Sequence, residues 1–258
     1  MIPGRIAVLA GGSSCEREIS LISGKAVHDA LAGLGYSVVI IDAVGNFMEK
    51  LKAENISLAF IALHGTFGED GTVQRLLEKE GIAYTGSGPG PSETAFDKEL
   101  SQRLFQKEGI SVPSFAVLNS ASEGSKRSPI DFPLVVKPAK SGSSVGVSIL
   151  SGPGGYAKAC EKAFGCSDTV IVESYISGRE LTVGILGDEP LPVVEVIPGR
   201  EFYDYEAKYK DSGTRYEFPA RLSQVERKVV VAEAMKAYRA IQGEVMSRVD
   251  IILDRDGK

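Results

Sequence analysis

Leu134-Val-Val-Lys-Pro-Ala-Lys-Ser-Gly-Ser-Ser-Val-Gly-Val-Ser148 is the stretch from which the chain is best read. A short apolar run ends in Lys137, a loop of Ser and Gly follows, and a second apolar run begins at Val145. The pattern predicts strand, flexible loop, strand. Gly142 and Gly146 allow backbone angles and close approaches that a Cβ would block. Successive N–H groups and the hydroxyls of Ser141, Ser143 and Ser144 can then surround phosphate oxygens, with Lys137 as a point charge at the strand end. No Gly-Lys-Ser/Thr opens a helix here, so this is not a Walker-type loop. Taken alone, the segment reads equally well as an ordinary Gly/Ser hairpin.

Outward from that loop, residues 154–164 read as a helix and 169–172 as a strand ending at Glu173. A linker over 174–179 leads to strands at 181–186 and 193–197. A polar, aromatic loop over 198–219, a helix over 224–242 and a strand over 248–253 follow. Upstream, 112–118 and 134–136 are strand-like, and 92–110 reads as one amphipathic helix containing Asp97 and Lys98. The Gly/Pro cluster Gly86-Ser-Gly-Pro-Gly-Pro91 marks a domain boundary. Before it, residues 5–88 alternate strand and helix signals: strands at 6–10, 36–42, 58–63 and 82–84, and helices after the first and third. Ser13 and Glu16 have capping-box spacing, and Ile19, Ile22, Ala26 and Ala30 recur at helical spacing. Such alternation implies a parallel sheet covered by helices. Ligands of these sheets gather at the carboxyl ends of the strands, so residues 13–16 and 64–70 are expected in one cleft.

Composition sets the class. The chain has 258 residues, 43% hydrophobic and 24% charged, with a net charge of −5, which is ordinary for a globular protein. A pI near 5.3 argues against general nucleic-acid affinity. No apolar run approaches the roughly 18 residues needed to cross a bilayer, and no signal sequence precedes the first strand. Cys15, Cys160 and Cys166 have neither metal spacing nor a disulfide framework, so a reducing cytoplasm is expected. Cys15 reads as a small spacer and His28 as a surface or packing residue.

Four segments then point one way. They are Gly11-Gly-Ser-Ser-Cys-Glu-Arg-Glu-Ile-Ser20, Ala62-Leu-His-Gly-Thr-Phe-Gly-Glu-Asp-Gly71, the 137–148 loop, and Phe202-Tyr-Asp-Tyr-Glu-Ala-Lys-Tyr209. In this order and spacing they closely resemble the D-alanine–D-alanine ligase family of ATP-grasp enzymes, and the resemblance runs from the first strand to residue 258. It implies an α/β fold: an N-terminal parallel-sheet domain (1–90), then a two-lobed α+β ATP-grasp fold (91–176 and 177–258) with its last lobe incomplete. It also implies ATP-dependent formation of D-alanyl-D-alanine, through an acyl phosphate, for peptidoglycan synthesis.

The residue roles that follow are what the resemblance implies. Lys98 and Lys137 neutralise phosphate charge, and Ser143 belongs to the covering loop. Glu173, Tyr175 and Ile176 hydrogen-bond the adenine edge, and Glu180 holds the ribose. Glu16 takes the ammonium of the first D-alanine, and His64 lies near its carboxylate. Lys208 reaches the γ-phosphate from a mobile loop. Tyr209 reaches Glu16 through a serine, for which Ser143 is the candidate, and so helps exclude water. A tyrosine at 209 resembles the dipeptide-forming ligases rather than their depsipeptide-forming relatives. Arg248 stabilises the tetrahedral oxyanion, and Asp250 is a ligand of Mg²⁺ or Mn²⁺. The family is usually a homodimer through its first domain, with D-alanine and ATP as its small-molecule partners.

The chain stops at Asp254-Arg-Asp-Gly-Lys258, where the family continues into a strand carrying Glu-x-Asn and a segment for the second D-alanine. The expectation is a ligase fragment whose ligation alone is severely impaired. Gly88-Pro-Gly-Pro-Ser-Glu is an unusual version of the segment before Lys98. Three readings compete: another ATP-grasp carboxylate–amine ligase, a catalytically incomplete nucleotide-binding module, and, more weakly, a periplasmic binding protein.

Overall fold

A computed structural model describes residues 4–124, 127–142, 144–199 and 213–258. The chain divides into two compact units, Met1–Glu93 and Thr94–Lys258.

In the first unit β1 (Arg5–Ala10), α1 (Arg17–Gly33), β2 (Val38–Asp42), α2 (Phe47–Ala53), β3 (Ile56–Ile61), α3 (Thr72–Lys79) and β4 (Ala83–Tyr84) follow in order. Its sheet runs β2-β1-β3-β4, and every pairing is parallel, as the alternation of elements implied. β1 is central and buried from Ile6 to Ala10, which is why it is a continuous apolar run rather than an alternating one. Ala7 and Leu9 join one core with Ile41, Phe47, Leu51, Val73 and Leu77. Val8 and Ala10 point the other way, against α1. There a Cβ on Gly24 would stand 2.4 Å from the Ala10 Cβ, so helix and strand pack closely only because residue 24 has no side chain. Helix α2 escaped the sequence reading, although Phe47 and Leu51 are an i, i+4 pair and both are buried.

Near the boundary one element is added and one expectation is corrected. The Gly/Pro cluster contributes to a helix, α4 (Pro89–Phe96); proline is tolerated in a first turn, where its missing N–H has no intrahelical partner to lose. The single helix expected over 92–110 is interrupted at Asp97, which is extended (φ −85°, ψ 105°). Its carboxylate accepts from the N–H groups of Glu99 and Leu100 and starts a separate helix, α5 (Lys98–Lys107). Aspartate is a strong N-cap, and here it ends one helix and opens the next.

The second unit continues with β5 (Phe115–Leu118), α6 (Ala121–Gly124), β6 (Leu134–Pro138), β7 (Ser148–Leu150), α7 (Tyr156–Phe164) and β8 (Val170–Ser174). These strands form an antiparallel sheet ordered β5-β8-β6-β7. Then come β9 (Gly178–Leu186), β10 (Glu189–Pro190), β11 (Val194–Ile197), β12 (Arg215–Glu217), α8 (Gln224–Ala240) and β13 (Met246–Asp254). In this second antiparallel sheet β9 is the hub: β13 pairs with all of it, and β11 and β10 with parts of it. Helix α8 covers the sheet through Val230, Ala234, Met235 and Tyr238, packed with Leu181, Val183 and Ile185. It starts at a complete capping box between Ser223 and Glu226. Arg179 ties β9 to β11 by a two-pronged bond to Glu195 (2.8 and 2.5 Å) and also donates to the Arg221 carbonyl at 2.9 Å.

Candidate active site

In the first unit, the loops after β1 and β3 lie at the carboxyl ends of adjacent parallel strands, so the loops carrying Glu16 and His64 lie side by side. Ser14 Oγ donates to the His64 carbonyl at 2.7 Å and accepts from the Glu16 N–H at 3.2 Å. Ser20 Oγ donates to the Ala62 carbonyl at 2.7 Å and accepts from the Gly11 N–H at 2.9 Å. Glu16 is a buried carboxylate, 5% exposed. It lies so close to Gly65 that a Cβ there would stand 2.5 Å from Glu16 Oε2. Ser23 Oγ is 3.1 Å from His64 Nε2, and Glu69 Oε1 is 3.8 Å from His64 Nδ1. The capping box expected from Ser13 and Glu16 does not form. Glu16 occupies the N-cap position of α1 without a side-chain cap bond, and Ser14 is spent joining the two loops.

Arg17 and Asp42 brace this corner from below. Arg17 donates to both Asp42 oxygens (2.9 and 2.5 Å) and to the Gly12 carbonyl, and the Gly12 N–H reaches Asp42 Oδ1 at 3.1 Å. The hydrogen bond from Arg17 holds the Asp42 carboxyl below its usual range and raises Arg17 in turn. Burial pushes Asp70 up, but hydrogen bonds from the Phe67 N–H and from the Thr72 hydroxyl and N–H outweigh it and leave the group below its usual range. Asp70 thereby pins the loop between His64 and α3.

In the second unit the register of β6 and β8 builds a charged cluster. Val135 lies opposite Glu173 and Lys137 opposite Ile171, so Lys137 and Glu173 are diagonal neighbours on one face. The other face, with Leu134, Val136, Val170 and Val172, enters the core. Lys137 Nζ donates to Glu173 Oε1 at 2.5 Å, and Gln102 Nε2 donates to Glu173 Oε2 at 2.6 Å. Helix α5 supplies a second cation at its start. The Lys98 N–H donates to the Ala139 carbonyl at 3.0 Å, and Lys98 Nζ donates to the Ser141 carbonyl at 2.6 Å. Lys140 Nζ is 3.2 Å from the capping carboxylate of Asp97. Two lysines therefore stand at the start of the Ser/Gly loop. Its turn places Ser144 and Gly146 at positive φ (59° and 79°), and β7 begins only at Ser148, later than Val145.

Tyr175 continues from β8, its N–H bonded to the Pro133 carbonyl at 3.0 Å, and Ile176 follows it, partly buried. Glu180 lies on β9 opposite Val196 and Ile252. On β13, Arg248 donates to both oxygens of Asp250 at 3.0 Å, and Thr182 Oγ1 donates to Asp250 Oδ1 at 2.8 Å. Ser143, Lys208 and Tyr209 lie outside the described residues. Among the described residues no group of three or more His, Cys, Asp or Glu side chains is placed to hold a metal ion. Asp250 is a single hard oxygen donor, which suits an ion such as Mg²⁺ that takes few protein carboxylates and fills its shell with phosphates and water. Among the described residues no helix is long and apolar enough to cross a membrane. The sequence reading missed Gln102, Ser14 and the Arg17–Asp42 pair, and placed Asp97 inside a helix rather than at its N-cap. For Gln102 a signal existed: it lies four residues after Lys98, on the same helical face.

Residues 104–258 match the family model described as D-ala D-ala ligase C-terminus, and residues 44–87 match D-ala D-ala ligase N-terminus. A D-alanine--D-alanine ligase of Citrifermentans bemidjiense is 45% identical over 253 residues, covering 98% of this chain and 82% of that protein. The crystal structure of a D-alanine--D-alanine ligase from Bacillus anthracis superposes with a TM-score of 0.85 at 35% identity, covering 98% of this chain and 84% of that one. The structure of a Bacillus anthracis ligase complexed with ATP gives a TM-score of 0.81 at 30% identity, covering 99% and 83%.

Proposed function

This chain belongs to the D-alanine–D-alanine ligase family, and from that premise we propose that it joins two D-alanines at the expense of ATP, for peptidoglycan synthesis. The observation that carries the nucleotide half of this reading is the pair of cations, Lys98 and Lys137, held together at the start of one Ser/Gly loop.

The carboxylate of the first D-alanine attacks the γ-phosphorus of ATP, and ADP leaves. The amine of the second D-alanine then attacks the acyl carbon, and phosphate leaves. Positioning and charge neutralisation are most of what a protein contributes to phosphoryl transfer. Lys98 and Lys137 neutralise the phosphates, with Ser143 in the covering loop and Lys208 on the γ-phosphate. Glu173, Tyr175 and Ile176 bind the adenine edge, and Glu180 the ribose. Glu16 takes the ammonium of the first D-alanine, and His64 lies by its carboxylate. Arg248 stabilises the oxyanion of the tetrahedral intermediate, and Tyr209 helps exclude water. Asp250 would hold Mg²⁺ or Mn²⁺, which when bound neutralises charge on the phosphate oxygens. We further assign residues 91–176 and 177–258 to the two ATP-grasp lobes, the working form to a homodimer, and the location to the cytoplasm.

The test is phosphate release from Mg-ATP in the presence of D-alanine or L-alanine, with the dipeptide identified by mass. The reading predicts that any release depends on the D-enantiomer and yields D-alanyl-D-alanine. A preference for an L-amino acid would instead indicate a different carboxylate–amine ligase.

A further inference from the structure

We propose that Gln102 is a positioning residue of the nucleotide site, holding the Glu173 carboxylate so that it accepts the 6-amino group of adenine and disfavours a 6-oxo purine. The inference rests on the assignment of Glu173 to the adenine edge and adds a residue that the family resemblance did not supply.

Helix α5 sets the geometry. Lys98 and Gln102 are separated by one helical turn, about 6 Å along the axis, so one helix face reaches both the phosphate loop and Glu173. The Glu173 carboxylate can only accept hydrogen bonds when ionised. The Gln102 amide must therefore present its NH₂ to Glu173, which fixes the amide orientation and leaves Oε1 facing away. That oxygen is buried and has no hydrogen-bond partner among the described residues. A buried acceptor left unsatisfied is costly, so the bond to Glu173 is kept against an opposing penalty. A side chain retained only for packing would carry no such polar cost.

Lys137 and Gln102 take one Glu173 oxygen each, at 2.5 and 2.6 Å. An ionised carboxylate offers about four lone-pair sites, so acceptor capacity remains for an exocyclic amine. Without the amide, no hydrogen bond from the described residues restrains Oε2, and the carboxylate is free to turn wholly toward Lys137. Adenine carries a donor at position 6, and hypoxanthine carries an acceptor there. A fixed carboxylate therefore separates the two bases, and a mobile one separates them less.

The experiment measures Mg-ATP and Mg-inosine triphosphate affinity by calorimetry for the wild-type chain, Gln102→Leu, Glu173→Gln and the double variant, with thermal unfolding on each. Gln102→Leu should weaken ATP about tenfold, leave inosine triphosphate within about twofold, and so erase most of the preference. In the Glu173→Gln background the same change should leave the preference unaltered, because the two residues act as one unit. Gln102→Asn, one methylene too short to reach Glu173, should lose the preference as well and serves if the leucine variant does not fold. Equal weakening of both nucleotides, or an unchanged preference, would overturn the role of Gln102 while leaving the nucleotide site standing. A wild-type chain that binds neither nucleotide would overturn both.

Discussion

Gly65→Ala tests the amino-acid site at its tightest point. Gly65 has φ +71°, and a Cβ built on it stands 2.5 Å from Glu16 Oε2. Holding an alanine in the left-handed region costs about 1–2 kcal/mol. That corresponds to a fall in Tm of roughly 4–16 °C for a domain the size of the first unit. Ordinary van der Waals contact begins near 3.4 Å, so the carboxylate must retreat by 0.9 Å (3.4 − 2.5). Glu16 is a flexible side chain and can yield, so the steric part appears as displacement more than as lost stability. A displacement of about 1 Å in a positioning group can cost on the order of 10²-fold in rate. The assays are thermal unfolding, ATP affinity, and the D-alanine dependence of phosphate release. The expected pattern is a modest loss of Tm, unchanged ATP affinity, and a D-alanine response weakened by about 10–10². Wild-type D-alanine response in a folded Gly65→Ala protein would refute the placement of Glu16 on the substrate.

Two further outcomes follow from the same geometry. Asp42 has a depressed carboxyl because Arg17 donates to it. A group depressed in the folded state contributes stability that is present above its unfolded pKa, about 3.9, and is lost as pH falls through the lower folded value. Urea melts from pH 7 to pH 2 should therefore show an acid loss that Asp42→Asn reduces; an identical slope in both proteins would remove this role. Ser223→Ala deletes half of the capping box of α8 and should cost about 0.5–2 kcal/mol without changing ATP affinity. A stability change outside that range, or a change in nucleotide binding, would contradict a purely capping role.

Periodicity and strand–helix alternation carried the parallel sheet, because a central strand buried on both faces must be a continuous apolar run, as Ile6 to Ala10 is. The same logic was blind to the break at Asp97. Residues on both sides favour helix, and only the cap geometry shows that the chain turns there. Ser13 and Glu16 matched a capping box in spacing, but Ser14 found a better use bridging two loops, a tertiary demand that no local window contains. Lys137 was legible as a charge at a strand end. That Glu173 would sit diagonal to it depends on the register of β6 against β8, and sequence leaves register open until both faces are known. Gln102 shares a helical face with Lys98, but an uncharged amide on a helix usually faces water, so that spacing alone did not single it out. Its importance appears only when Glu173 is found buried beside it.

The most direct test of the whole account is stereospecificity of phosphate release from Mg-ATP, compared in wild type and Lys137→Ala. Selectivity is the quantity to read, whatever the absolute rate. The account predicts release that rises with D-alanine and not with L-alanine, and that is lost with Lys137. Release driven equally by both enantiomers, or undiminished in Lys137→Ala, would contradict it.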